Sequence, residues 1–110
     1  LQALLLMNEE EYVKAAMACA KLTLKETEDL SAGLRLAYEK ITSQEPTPER
    51  LALMEGTLLE FMDLYRQDEA LTTALTSELG DAELEDRVKL AAWTMMTHSL
   101  LNLELAKVRR

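Results

Sequence analysis

Apolar residues in this chain return every three or four positions almost from end to end, and no stretch alternates every second residue. Leu51, Met54, Leu58, Phe61, Met62 and Tyr65 show the pattern best, and at 3.6 residues per turn they fall on one helix face. β-branched residues are few, so no strand is expected. Connections between periodic segments are only a few residues long, which makes chain neighbours antiparallel. The reading is all-α, a compact bundle of five to six mostly antiparallel helices.

Start and stop signals divide the pattern. Asn8 followed by Glu11 resembles a capping box and opens a helix to about Lys25 with Val13, Ala16, Met17, Ala20 and Leu24 inward. Thr27 caps a second helix with Leu30, Leu34, Tyr38 and Ile41 on its apolar face, which ends before Pro46. Thr47 and Pro48 start a third, to about Arg66. Asp68 caps a shorter helix through Leu71, Ala74, Leu75 and Leu79, closed by Gly80. The last runs from about Leu84 to Leu105, and Leu1 to Met7 reads as the end of a preceding helix broken at Asn8. The expected core joins Leu30, Leu34, Tyr38, Leu51, Met54, Leu58, Phe61, Met62, Val88, Ala92, Met95 and Leu101. Gly33 and Gly56 sit inside helices at about 1 kcal/mol each relative to Ala, so each is expected at a close helix crossing.

A length of 110 residues suits one domain, 1–110. Twenty acidic against twelve basic residues give a net charge of −8, a field that repels phosphate backbones, so nucleic acid is not an expected partner. The longest apolar run, Ala3 to Met7, is far short of the roughly 20 residues that span a bilayer, and membrane insertion is not expected. The first residues, Leu1-Gln2, lie within an apolar periodic segment, which predicts a piece of a longer polypeptide with Leu1, Leu4, Leu5 and Leu6 packed on upstream domains or a second copy. The single cysteine, Cys19, excludes an internal disulfide.

Residues able to do chemistry are few. His98 lies near Met95 and Met96, a pairing that ligates haem iron in some proteins, yet there is no Cys-x-x-Cys-His attachment sequence and no Glu three residues before it. It reads as a hydrogen-bonded, partly buried structural histidine. Cys19, among Ala16, Met17 and Ala20, reads as a small buried hydrophobe. Glu9, Glu10 and Glu11, and the group Glu78, Asp81, Glu83, Glu85 and Asp86, suit helix N-termini, where the macrodipole favours acids; the second has only a rough likeness to a calcium loop. No phosphate-binding glycine loop or nucleophile elbow occurs. No catalytic, cofactor or metal residue is therefore assigned, and whether the chain is part of an enzyme stays open.

Three stretches together resemble one family: Leu1-Gln-Ala-Leu-Leu-Leu-Met-Asn8 with Tyr12-Val-Lys-Ala-Ala16; Arg35-Leu-Ala-Tyr38 with Pro46-Thr-Pro-Glu49; and Ala91-Ala-Trp-Thr94 with Leu100-Leu-Asn-Leu-Glu104. In order and spacing they are similar to the C-terminal domain of unknown function of large planctomycete-type cytochrome-associated proteins. Ser43-Gln44 stands where that family has Gly-Arg, and Glu104-Leu105-Ala106 where it often has Asp-Glu-Phe. The resemblance implies an exported, periplasmic or similar setting and haem c in another domain of the parent chain, with no cofactor here. It implies no catalytic residue.

These readings converge on a non-catalytic scaffold or interaction module, with Leu1, Leu4, Leu5 and Trp93 as its interaction residues. Two other readings stay open: part of an active site completed by upstream domains, with His98 or the acids near Asp81 facing a cleft, and a bundle that binds a small apolar ligand on its Met and Trp93 face.

Overall fold

Asn8 opens the first helix as its spacing to Glu11 predicts: its side-chain oxygen accepts from the Glu11 N–H at 2.8 Å, and three glutamates follow at the positive end of the dipole. The computed structural model describes residues 8–108. Within them lie α1 (Glu9–Glu26), α2 (Leu30–Thr42), α3 (Pro48–Gln67), α4 (Glu69–Leu75), a 3-10 turn (Ser77–Leu79) and α5 (Leu84–Val108), with no strand among the described residues. The fold is an all-α bundle. The expected interaction residues Leu1, Leu4 and Leu5 lie outside the described residues.

Local chemistry fixes most boundaries. Thr47 accepts from the Arg50 N–H at 3.1 Å ahead of Pro48 at the first helical position, and Asp68 accepts from Leu71 at 3.1 Å. The second helix corrects the expectation. Asp29, not Thr27, is its N-cap and accepts from Ala32 at 2.8 Å, whereas Thr27 ends α1, its N–H bonded to the Thr23 carbonyl and its hydroxyl accepting from Asp29. Two capping residues lay close together, and the one nearer the helix took the role. The helix leaves through Ser43 in the left-handed region at φ 62°.

A second correction falls on α4, which stops at Leu75 rather than running to Leu79. Thr72 and Thr76 are fully buried, and each hydroxyl donates to a carbonyl four residues back, at 2.9 and 2.7 Å, a habit that weakens the regular helix. The Thr76 carbonyl is then taken by Arg87 at 2.9 Å, leaving a 3-10 turn and Gly80 at φ 61° to finish the segment.

α5 is the axis of the bundle, with its largest contacts on α1 and α3. Leu90, Ala91, Ala92, Trp93 and Thr94 are all buried, and five consecutive residues cover every side of a helix, so α5 is enclosed all round along this stretch. α1 lies antiparallel to it: Glu9 reaches His98, while Lys21, Leu24 and Lys25 share a groove with Asp86, Lys89 and Leu90. α2 folds back on α1, with Gly33 beside Thr23 and Ile41 beside Cys19.

The expected single core is two clusters. The larger joins Met17, Leu34, Met54, Leu58, Val88, Ala92 and Leu100, with Leu30, Tyr38, Leu51, Phe61, Met62 and Met95 packed on it but only partly buried. Leu101 belongs to the smaller, with Tyr12, Ala16 and Leu105.

Candidate functional site

Three places in the bundle bear on what the chain can do chemically. Where the start of α1 crosses α5, the His98 ring stands edge-on to Tyr12, a member of the smaller cluster, with centroids 4.7 Å apart. The Asn102 amide donates to Nδ1 at 3.2 Å, which leaves the proton on Nε2, and Nε2–H donates to the Glu9 carboxylate at 3.2 Å. The imidazole side chain is 14% exposed and the Glu9 carboxylate 80%. His98 is thus the hydrogen-bonded, partly buried residue its sequence context predicts, with each ring nitrogen engaged and each partner holding one helix to another or to itself.

The second place is Arg87, which sequence reasoning missed. Its side chain is buried, and it donates to the Thr76 carbonyl at 2.9 Å, the Thr76 hydroxyl at 3.2 Å, the Ala82 carbonyl at 3.3 Å and the Gly80 carbonyl. The Thr76 carbonyl, which also takes the Leu79 N–H at 3.0 Å, ends α4, and the Gly80 and Ala82 carbonyls lie in the turn after it, so the guanidinium ties the end of α4 and the following turn to the start of α5. An arginine in the first turn of a helix otherwise reads as a solvated charge. Its only sequence signal is the pair of threonines and the glycine upstream, too far from it for a local rule.

Around this turn lie the acids that the active-site alternative would place at a cleft. Asp81 and Glu83 are exposed, Glu78 pairs with Lys21 of α1, and Glu85 accepts from Nε and Nη2 of Arg66 at 2.8 and 3.2 Å. The hydrogen bonds from Arg66 pull the Glu85 carboxyl below its usual range and push the Arg66 guanidinium up. Among the described residues no group of three or more His, Cys, Asp or Glu is arranged to hold a metal ion.

The third place is the seam of α1, α2 and α5. Cys19 is exposed, which corrects its assignment to the interior: Ala16 and Ala20 point inward, and position 19 turns out past the stripe. It borders a cavity of about 50 Å³ with Leu22, Ala37, Ile41 and Thr97. Such a space admits a few waters at most and is far smaller than the ~300 Å³ at which ligand pockets begin. A larger groove of about 500 Å³ between α1 and α4 is edged by the exposed Glu10, Lys14 and Glu78.

Trp93, expected on an interaction surface, is only 3% exposed. A Cβ built on Gly33 would stand 2.8 Å from Cη2 and 3.2 Å from Cζ2 of the indole, so the ring occupies the space a side chain on α2 would need. Gly33 is therefore the close crossing its position predicts, and Trp93 is core. Gly56 is the opposite case. It is exposed at mid-helix on α3 with nothing within 4 Å of a Cβ built there, and no crossing among the described residues accounts for it.

No helix of the described residues is long and apolar enough to cross a membrane. In comparisons with known proteins, no family model, curated protein or solved structure matches the chain.

Proposed function

We propose that this chain is a non-catalytic helical scaffold or interaction module of a larger exported protein, with haem c chemistry, where the parent has it, carried by another domain. The observation that supports this reading is the deployment of the polar residues: His98 ties α5 to α1, Arg87 ties α5 to the end of α4, and Glu78 and Glu85 each pair with a cation on another helix. Catalysis needs a nucleophile or base aimed at free space with a second group oriented toward it. Here both ring nitrogens of the histidine and four hydrogen bonds of the buried arginine are spent within the fold. The exported, cytochrome-associated setting rests on the resemblance of the three stretches that begin at Leu1, Arg35 and Ala91.

The test is direct. The purified chain is scanned for visible absorbance and its metals are quantified by elemental analysis. The reading expects neither at stoichiometric level, and one equivalent of haem or metal refutes it. Substituting His98 and Asp81 in the full-length protein then checks the enzyme alternative: an activity lost with either residue would place chemistry in this segment.

A further inference from the structure

We infer that the outer face of α3 is a docking surface for a basic amphipathic helix, an inference that rests on the interaction-module reading. Gly56 stands at its centre. With successive residues about 100° apart, Leu53 falls about 60° to one side of Gly56 and Leu59 about 60° to the other, with Ala52 one turn before. Leu53 is 62% exposed and Leu59 52%, and Ala52 and Gly56 are exposed with them. The face is thus shallow at its centre, where Ala52 and Gly56 put at most a methyl between a leucine on each side, and it turns acidic at Glu60 one turn on. Small residues four apart let another helix approach the backbone closely.

Charge decides which helix. Glu49 and Asp63 lie two turns to either side of Gly56, close to the same line, with Glu60 between, and Arg50 turns about 120° away toward the flank. Arg66 bonds to Asp63 at 3.1 Å but shares its charge with Glu85, so this group stays net negative. A second copy is a poor occupant. Paired antiparallel about Gly56 it sets Glu49 against Asp63, and paired parallel it sets each acid against itself. Both two-fold arrangements meet like charges, and each chain adds a net −8. A helix with an apolar strip over Gly56 and Lys or Arg about two turns to either side matches the leucines, the shallow centre and the charge at once.

The probe is a synthetic peptide of about 20 residues, long enough to be helical alone, with an Ala/Leu face flanked by lysines. Two controls carry the same apolar face with glutamates, and the same composition scrambled. The peptides are titrated into the isotopically labelled chain and followed by amide chemical shifts. The expected result is perturbation centred on Ala52, Leu53, Gly56, Leu59, Glu60 and Asp63, absent with both controls. Gly56→Leu fills the shallow centre where nothing lies within 4 Å, so it should raise Tm yet weaken binding by about tenfold or more. Glu60→Gln, away from the helix start, should weaken it without moving Tm much.

Perturbation on another face, or binding indifferent to Gly56→Leu, overturns this surface and leaves the module reading standing. No binding at all also overturns it, while the cofactor measurement judges the module reading separately. A concentration-dependent dimer abolished by Gly56→Leu overturns the choice of occupant in favour of a second copy.

Discussion

Gly33→Ala and Gly56→Ala make the same chemical change at two mid-helix glycines, and the structure assigns them opposite signs. In a helix interior Ala is favoured over Gly by about 1 kcal/mol, because the glycine backbone loses more freedom on folding. That gain applies at both sites and cancels in the comparison. At Gly56 nothing lies within 4 Å of the new methyl, so the full gain should appear, about 1 kcal/mol and a few degrees in Tm. At Gly33 the methyl would sit 2.8 Å from Trp93 Cη2 and 3.2 Å from Cζ2, with Thr23 Cγ2 at 3.5 Å. The obstacle is a rigid ring held in the core at 3% exposure, not the free end of a flexible chain. Overpacking of this kind costs about 1–3 kcal/mol, which should be the difference between the two variants. Urea unfolding followed by far-UV circular dichroism and by fluorescence of Trp93, the sole tryptophan, measures both. Trp93→Phe removes the two clashing atoms, so in a double-mutant cycle it should abolish most of the Gly33→Ala penalty. A Gly33→Ala variant as stable as Gly56→Ala, or a cycle with no coupling, would refute the crossing.

Arg87→Met should destabilise the chain by about 2 kcal/mol, because the buried Thr76 carbonyl and the part-buried Gly80 and Ala82 carbonyls lose a charged donor together, and hydrogen exchange should quicken first between Thr76 and Ala82. Arg87→Lys should recover little of it, since one ammonium cannot reach carbonyls that a planar fork spans. Ser43→Gly relieves a left-handed backbone at φ 62° and should stabilise by about 0.5–1 kcal/mol in the same urea titration. Leu58→Ala, at 0% exposure in the larger cluster, should cost about 2–5 kcal/mol, and a loss below about 1 kcal/mol would misplace the α3 face. Glu85 has its folded-state carboxyl pulled down by Arg66, so its contribution is present above the ordinary carboxylate range and fades as pH falls through the lowered value. Glu85→Gln should therefore flatten the acid limb of a stability–pH profile, and an unchanged limb would mean the exposed pair contributes nothing.

What the sequence made legible was set by interactions within one helical turn. Asn8, Thr47 and Asp68 cap the helices their spacing announces, because a cap bonds three residues ahead and no distant group need be known. Leu34, Met54, Leu58 and Val88 are buried because a 3.6-residue period is a property of the strip alone. Ambiguity began where two local rules competed. Thr27 and Asp29 are both good caps, and only the course of the backbone between α1 and α2 selects Asp29. Cys19 shows the limit of the period itself: alanines on both sides suggested the interior, yet one residue of rotation separates Ala20 at 0% from an exposed thiol.

The partners of His98, Arg87 and Trp93 were hidden for a different reason, that they lie elsewhere along the chain: the character of His98 was legible, its bond to Glu9 was not. His98 meets Glu9 from the opposite end of the sequence, Arg87 ties α5 to α4 only because α4 breaks at Thr76, and Trp93 is core only because α2 offers a residue without a side chain. The two glycines make the same point within one residue type. Before any partner is placed, Gly33 and Gly56 are the same unfavourable choice in the middle of a helix. Gly33 is resolved inside the fold, by an indole that needs the room. Gly56 stays unresolved after every described neighbour has been placed, on a face whose flanks are leucines and whose axis is acidic. A helix that retains this cost with no contact among the described residues to offset it fits a contact with a partner, and the charge on the face rules against a copy of itself.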